Sequence, residues 1–430
     1  MRLSLRLAMA AIAAIFISSC DVYYDVFPGV AIDLDQPMYD VFGKRVKSVK
    51  LQPGRAAILQ IDDPNQVNKT AFSQSGKPRP NKTVRLGGYF FGGFDQPHKL
   101  SQKQMEWVAT HLDVLSLNSN YVIEGNPENG GITPEGVLWL KQRNPDLRYY
   151  CMLFATTLRE PQFDPATMSN WVVEHKDNHE AYGVRRSTEG DLNHLMDLGN
   201  ADYAKWFRNF MIKHANEYHA DGVAIDEVMW NGYWGLDLKD MKDYNSVDQI
   251  RQTCYDWLKT IKTDNPKEVI HQAFWSEAQE FTNGVWGEAA FYSSWRDGTE
   301  YEVFYEDLDY RGIVNKVSEF GDKDETYIWA SFYFREEELH LEYAVATYLL
   351  GKKGDHVVFQ PQPIYDGGYP KNLGGYSLQT VMDEYERRKN IFDVELGQPL
   401  GEFYTEEIHN RIIWVRKFEK GIVYVNPNKN

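Results

Sequence analysis

Cysteine is scarce in this chain, three residues in 430, and one of them, Cys20, closes an apolar leader. The two that remain, Cys151 and Cys254, are too few for a disulfide framework, so the fold must rest on an apolar core, and Cys151, inside an apolar run, reads as a buried thiol. A glycine-rich phosphate or dinucleotide loop is also missing from the first apolar run, because "GGYFFGGF" lacks the required spacing; no cofactor is expected. His175, Asp177, His179 and Glu180 crowd together in sequence without the H-E-x-x-H spacing, and no metal is expected there. Positive charge is in short supply, 46 Lys and Arg against 62 Asp and Glu for a net charge of −16. Such a surface repels phosphate backbones, which argues against nucleic acid as a partner.

The leader "MRLSLRLAMAAIAAIFISSC" has a cationic start, an apolar run too short to span a bilayer comfortably, and small residues before the cysteine. That is the pattern of an export signal over residues 1–19. "ISSC" resembles the bacterial lipobox, which implies lipidation at Cys20 and an envelope lipoprotein anchored to the membrane by its N-terminus. Residues 20–83 are mixed and, in "DDPNQVNKTAFSQSGKPRPNK", polar and broken by prolines; they read as a tether or strap.

From residue 84 to 395 short apolar runs alternate with helical stretches. They are "VRLGGYFFGGF", "LDVLSLNSNYV", "LRYYCMLFA", "DGVAID", "VIHQAFW", "GVWGEAAF", "TYIWASFYF" and "DHVVFQP". Runs apolar on both faces suit parallel strands covered by helices, and eight of them predict an α/β fold, a (β/α)8 TIM barrel. Asn200 is placed to cap a helix burying Tyr203, Trp206, Phe210, Met211 and Tyr218. "EEELHLEYAVATYLLG" runs acid-first and stops at Gly351, and "SLQTVMDEYERRKNIF" is a further helix. Only "SEAQEFTN" separates the fifth and sixth runs, so a short or missing helix is expected there. Residues 396–430, with "RIIWVRKF", "EKG" and "IVYVNPN", form a small C-terminal β appendage that is minimal or incomplete.

The fourth run ends in "IDEVMW", two acids after a core strand. At the carboxyl ends of barrel strands a carboxylate reaches solvent while its strand stays buried. Asp226 therefore reads as a catalytic acid, with Glu227 as the alternative. Hydrolysis of a glycosidic bond needs a second acid across the mouth; Glu288 after the sixth run is preferred and Glu277 after the fifth is the alternative. Asp221 belongs at the opposite end of its strand.

These motifs, with "LMDLGNADYAKWFRNFM" and the closing "RIIWVRKFEKGIVYVNPN", resemble a glycoside-hydrolase-like barrel family related to the α-galactosidase and endo-α-galactosaminidase clan. The resemblance covers roughly residues 85–430. It implies an aspartate nucleophile at Asp226 and a carboxylic acid/base at Glu288, hence a retaining mechanism. Glu227 stands where that family often carries an aspartate or a small residue, which leaves open which acid leads. Stacking and hydrogen-bonding groups for a carbohydrate are expected at the strand ends: Tyr89, Asp95, Asn118, Trp230, Trp275, Trp295, Tyr333 and Gln360. The long connection from Thr156 to Gly199 is expected to fold over the mouth. The alternative function is a non-catalytic carbohydrate-binding envelope lipoprotein on the same scaffold.

Overall fold

The computed structural model describes residues 29–65, 83–90, 99–117, 131–159, 164–181, 183–185, 192–226, 228, 238–272, 284–287, 310–334, 338–364 and 377–427. Strands β1 (Val30–Asp40), β2 (Arg45–Leu51) and β3 (Arg55–Gln60) come first. An alternating stretch follows: β4 (Leu86–Phe90), α1 (Gln102–His111), β5 (Leu112–Leu117), α2 (Pro134–Arg143) and β6 (Arg148–Phe154). A small flap carries β7 (Thr157–Arg159), β8 (Gly183–Arg185) and β9 (Leu192–Leu195), paired in the order β7-β9-β8. Then come α3 (Ala201–Glu217), β10 (Gly222–Asp226), α4 (Val247–Lys262), β11 (Glu268–Gln272) and β12 (Gly284–Gly287). The order continues with α5 (Tyr310–Asp322), β13 (Thr326–Phe334), α6 (Glu338–Gly351), β14 (Val357–Ile364) and α7 (Leu378–Arg387). Strands β15 (Tyr404–Ile408), β16 (Arg411–Phe418) and β17 (Gly421–Asn426) close the chain. Every apolar run singled out in the sequence contains a parallel strand.

The architecture is mixed α/β, with a curled parallel sheet and a separate antiparallel one. The parallel strands pair in the order β10-β11-β12-β13-β14-β4-β5-β6, with β6 pairing back onto β10. One link is thin: β14 meets β4 through the single pair Phe359↔Leu86. The sequence explains it. The Phe359 N–H donates to Arg85 O at 2.8 Å, so odd-numbered residues of β14 point their N–H groups at β4, and the next two are Pro361 and Pro363, which have none. Gln360 bridges the gap with its side chain: Oε1 accepts from the Tyr89 N–H at 3.1 Å and Nε2 donates to Tyr89 O at 3.0 Å.

Strand alternation sorts the side chains. Val114, Tyr150, Met152, Ala224, Ile270, Ile328 and Val358 meet inside the curl, with Tyr89 and Phe154 above them. Alternate positions such as Leu115, Cys151, Val223, Tyr327 and Phe359 face the surrounding helices. Cys151 and Cys254 are both buried thiols. Asn200 caps α3, accepting from the N–H groups of Asp202 and Tyr203. Phe207, one residue off the expected stripe, is buried on that helix, while Phe210 is exposed. Ser377 caps α7, and α6 ends at Gly351, where a Cβ would lie 2.4 Å from Val314 O. The expected short link after the fifth strand, residues 273–283, lies outside the described residues.

The antiparallel sheet differs from expectation. Its order is β15-β16-β17-β3-β1-β2, so part of the segment read as a strap supplies half the strands and shares one sheet with the C-terminal strands. Its centre is the β17–β3 pairing from Gly421↔Gln60 to Asn426↔Arg55, a contact between remote segments that no local pattern announces. One face, with Ile58, Trp414, Val423 and Val425, joins the main core; the other, with Val30, Leu59, Ile413 and Val415, forms a core of its own. Two buried charges mark the junction. Arg416 Nη1 donates to the carbonyls of Leu349 (3.0 Å), Leu350 (2.9 Å) and Lys352 (2.7 Å), satisfying the orphan end of α6. Burial lowers its pKa to about 10. Glu342 of α6 accepts from the Ile58 N–H at 3.1 Å, and burial pushes its carboxyl up to about 7.

Candidate active site

Asp226 is the last residue of β10 and has the alternation of Ala224, which places it on the inner side at the carboxyl end of the strand. It is 6% exposed. Its backbone is held firmly: the Ala155 N–H donates to Asp226 O at 3.1 Å, the Tyr203 hydroxyl donates to Ala155 O at 2.5 Å, and two residues on the Cys254 thiol donates to Val228 O at 2.8 Å. Its side chain is held as well. The Tyr89 hydroxyl donates to Asp226 Oδ2 at 3.0 Å, and Tyr89 is in turn fixed at its backbone by Gln360. Three of the expected site residues, Asp226, Tyr89 and Gln360, thus form one connected unit inside the curl.

Tyr333 is not part of that unit. In β13 it has the alternation of Tyr327 and Trp329, which face the helices, and its hydroxyl donates to Glu384 Oε2 of α7 at 2.9 Å. Its closeness to the strand end suggested the mouth; its phase in a long strand sets it between strand and helix. Asp95, Asn118, Glu227, Trp230, Trp275, Glu277, Glu288, Trp295 and Cys20 lie outside the described residues.

The amino ends of the strands carry a different chemistry. Asp221, just before β10, accepts from Lys141 Nζ at 2.6 Å and from the Tyr149 N–H at 2.8 Å. The Tyr150 hydroxyl bonds Glu268 and lies 2.7 Å from Thr326 Oγ1, which also accepts from Arg148 Nη1 at 3.0 Å. Burial pushes the Tyr150 hydroxyl well above its ordinary value. These charges are spent on one another, so this end is an ionic plug, while the carboxyl end keeps an acid beside hydrogen-bonding groups.

The described parts of the connection from β6 to α3 are tied down by side-chain bonds. Asp197 accepts from the Tyr244 hydroxyl at 2.5 Å and the Gly199 N–H at 2.9 Å, and burial raises its pKa. Within it His179 Nδ1 lies 3.2 Å from Glu174, which also takes Lys242 at 2.7 Å. Among the described residues no group of three or more potential ligands could hold a metal ion.

Sequence reasoning missed Gln362. It has the inward alternation of Val358 and Gln360, is fully buried, and neither Oε1 nor Nε2 has a partner among the described residues. The available signal was the alternation in "FQPQP", which puts both glutamines on one side of β14.

No protein-family model matches the chain, and no curated protein matches it. Among solved structures it is similar to the glycoside hydrolase domain of PelA from Pseudomonas aeruginosa, at 11% identity over 59% of this chain and 86% of that one, with a TM-score of 0.37. It is also similar to the GH31 dextranase FjDex31A of Flavobacterium johnsoniae, at 11% identity over 81% of this chain and 52% of that one, TM-score 0.44. A third is TtGalA, an α-galactosidase from Thermus thermophilus, at 10% identity over 77% of this chain and 66% of that one, TM-score 0.39. The chain spans about half the length of the dextranase. Likenesses at these scores carry no chemistry across to this chain.

Proposed function

We propose that this protein is a glycoside hydrolase acting on an oligo- or polysaccharide through two carboxylates. The observation that carries the reading is Asp226: a buried acid on the inner side of a strand's carboxyl end, fixed by the Tyr89 hydroxyl. The scaffold of the proposal is a complete (β/α)8 barrel. Its support is the pairing order, together with register offsets that accumulate to about eight residues around the ring, the stagger of that fold.

In the proposed mechanism Asp226 attacks the anomeric carbon while Glu288 gives its proton to the departing oxygen. Glu288 then takes a proton from water, which attacks the glycosyl ester and releases Asp226, so configuration is retained. The proposal assigns the second role to Glu288 because it follows the sixth apolar run directly in sequence and the resemblance implies an acid there; Glu277 and Glu227 are the acids to compare. Retention calls for carboxyl groups about 5–5.5 Å apart, inversion for roughly 6.5–9.5 Å.

The test is Asp226→Ala assayed on a panel of α- and β-linked aryl glycosides and oligosaccharides. Turnover should vanish and return with azide, giving a glycosyl azide of inverted configuration. Near-native turnover in Asp226→Ala with loss in Glu227→Ala would pass the nucleophile to the neighbouring acid. Binding of the panel without hydrolysis by the native protein would favour the non-catalytic carbohydrate-binding reading. We also propose that the chain is exported and anchored through lipidated Cys20 to a bacterial envelope membrane, where polysaccharide reaches it.

A further inference from the structure

β14 carries two inward glutamines with opposite circumstances. Gln360 spends both ends of its carboxamide on the Tyr89 backbone, at 3.1 and 3.0 Å. Gln362, two residues nearer the carboxyl end, is equally buried, with 0% exposure, yet neither amide atom has a partner among the described residues. A carboxamide offers two N–H donors and an acceptor with two lone pairs, and burying it unpaired is destabilising. Leucine or methionine would fill a similar volume without that cost. A polar group kept in this state, on the inner side near a strand's carboxyl end, can take its partner from a ligand.

Position says which partner. β14 and β10 lie on opposite sides of the ring of strands. In an eight-stranded barrel of this stagger, equal height advances about one residue per strand beyond the hydrogen-bonded partner, which sets Gln362 and Asp226 in one layer, just above that of Tyr89. A ligand resting over Asp226 therefore has Gln362 facing it. An anion is disfavoured beside that carboxylate. A neutral polyhydroxyl ligand fits, because the adjacent donor and acceptor of one carboxamide match two neighbouring hydroxyls, each able to give and to take a hydrogen bond.

We infer that Gln362 is a substrate-binding residue, its carboxamide holding two adjacent hydroxyls of the sugar unit that lies over Asp226. The identity of the ligand rests on the glycosidase reading; the unpaired burial of Gln362 does not.

Two arms of one experiment separate these. In the ligand-free full chain, Gln362→Leu should raise Tm by about 1–3 °C, since an unpaired buried polar group is replaced by an apolar one. Gln362→Met, which is more pliable, repeats the measurement should a branched side chain clash. In the Asp226→Ala background, maltotriose, isomaltotriose, cellotriose and galactotriose are tested as thermal protectants; at least one should protect, and adding Gln362→Leu should weaken its binding at least about tenfold. A Tm unchanged or lowered in both apolar variants overturns the inference, because the carboxamide is then already satisfied. A raised Tm with undiminished protection overturns it too, because the carboxamide then does not touch the sugar. No protection by any glycan, with no hydrolysis by the native protein, overturns the glycosidase reading and the sugar assignment together, and the Tm arm tells that failure from the others.

Discussion

Glu342 offers the most direct test of the junction between the two sheets. Its carboxyl is buried in α6 against the backbone of β3, and its pKa stands at about 7 instead of the ordinary 4.5, mainly through burial, with Asp40 pushing the same way and the Ile58 N–H and Arg55 opposing. A carboxyl raised in the folded state is protonated there while the unfolded chain has already lost its proton, so stability falls as pH rises from about 4.5 to about 7 and stays reduced above that. A displacement of this size amounts to about 3 kcal/mol. Glu342→Gln keeps an oxygen for the Ile58 N–H and cannot ionise. At pH 5 the variant should match the native protein; at pH 8.5 it should be more stable by up to about 3 kcal/mol, or about 4 °C in Tm for a chain of this length. Thermal melts of both proteins at the two pH values give the double difference, in which all other titrating groups cancel. Equal pH dependence in the two proteins would refute the argument, as would a variant less stable at both pH values.

Tyr89→Phe removes the hydroxyl from Asp226 Oδ2; a hydrogen bond to a charged group is worth about 1.5–3 kcal/mol, so turnover should fall about 10- to 100-fold with the acid limb of the kcat/KM profile moving to higher pH, and an unmoved limb sinks the idea. Arg416→Met strips the three carbonyls at the end of α6 of their donor; calorimetry should show a loss of about 2–4 kcal/mol, and an unchanged Tm would mean that solvent replaces the guanidinium. Cys20→Ala should move the protein from the membrane fraction to the soluble one on fractionation, and continued membrane association without the thiol would refute lipid anchoring.

The parallel strands were legible because each is a local run of apolar residues, and a strand buried on both faces needs nothing more to announce itself. Asp226 was legible for the same reason: an acid at the end of such a run is conspicuous. The antiparallel sheet was not, although Val30–Asp40 and Arg55–Gln60 carry usable strand patterns, because what joins them to the C-terminal strands is the pairing of Arg55–Gln60 with residues 421–426, and remote pairing leaves no mark in a window of sequence. Tyr333 shows a subtler limit. At a strand's end a one-residue difference in phase decides between the inside of the sheet and the helix behind it, and only the neighbouring strands fix that phase. Gln360 and Gln362 show a third: two identical residues in one repeated dipeptide, told apart only by which backbone happens to lie within reach.

The β17–β3 pairing has a consequence for how the chain comes to be built. Everything that makes the parallel sheet lies between those two strands, so a ribosome releases β3 long before β17, its partner on one side, exists. Until then its exposed edge is a template for any passing strand, the hazard that attends unpaired edges and slow, non-local pairing. The charges of β2, Arg45, Lys47 and Lys50, stand on the strand that covers this segment first, a hairpin partner available at once to β1, while β3 pairs β1 on one side and waits on the other until residues 421–426 emerge. A nascent chain halted before residue 404 should therefore hold a formed parallel core and an unfinished sheet, and be the species that aggregates.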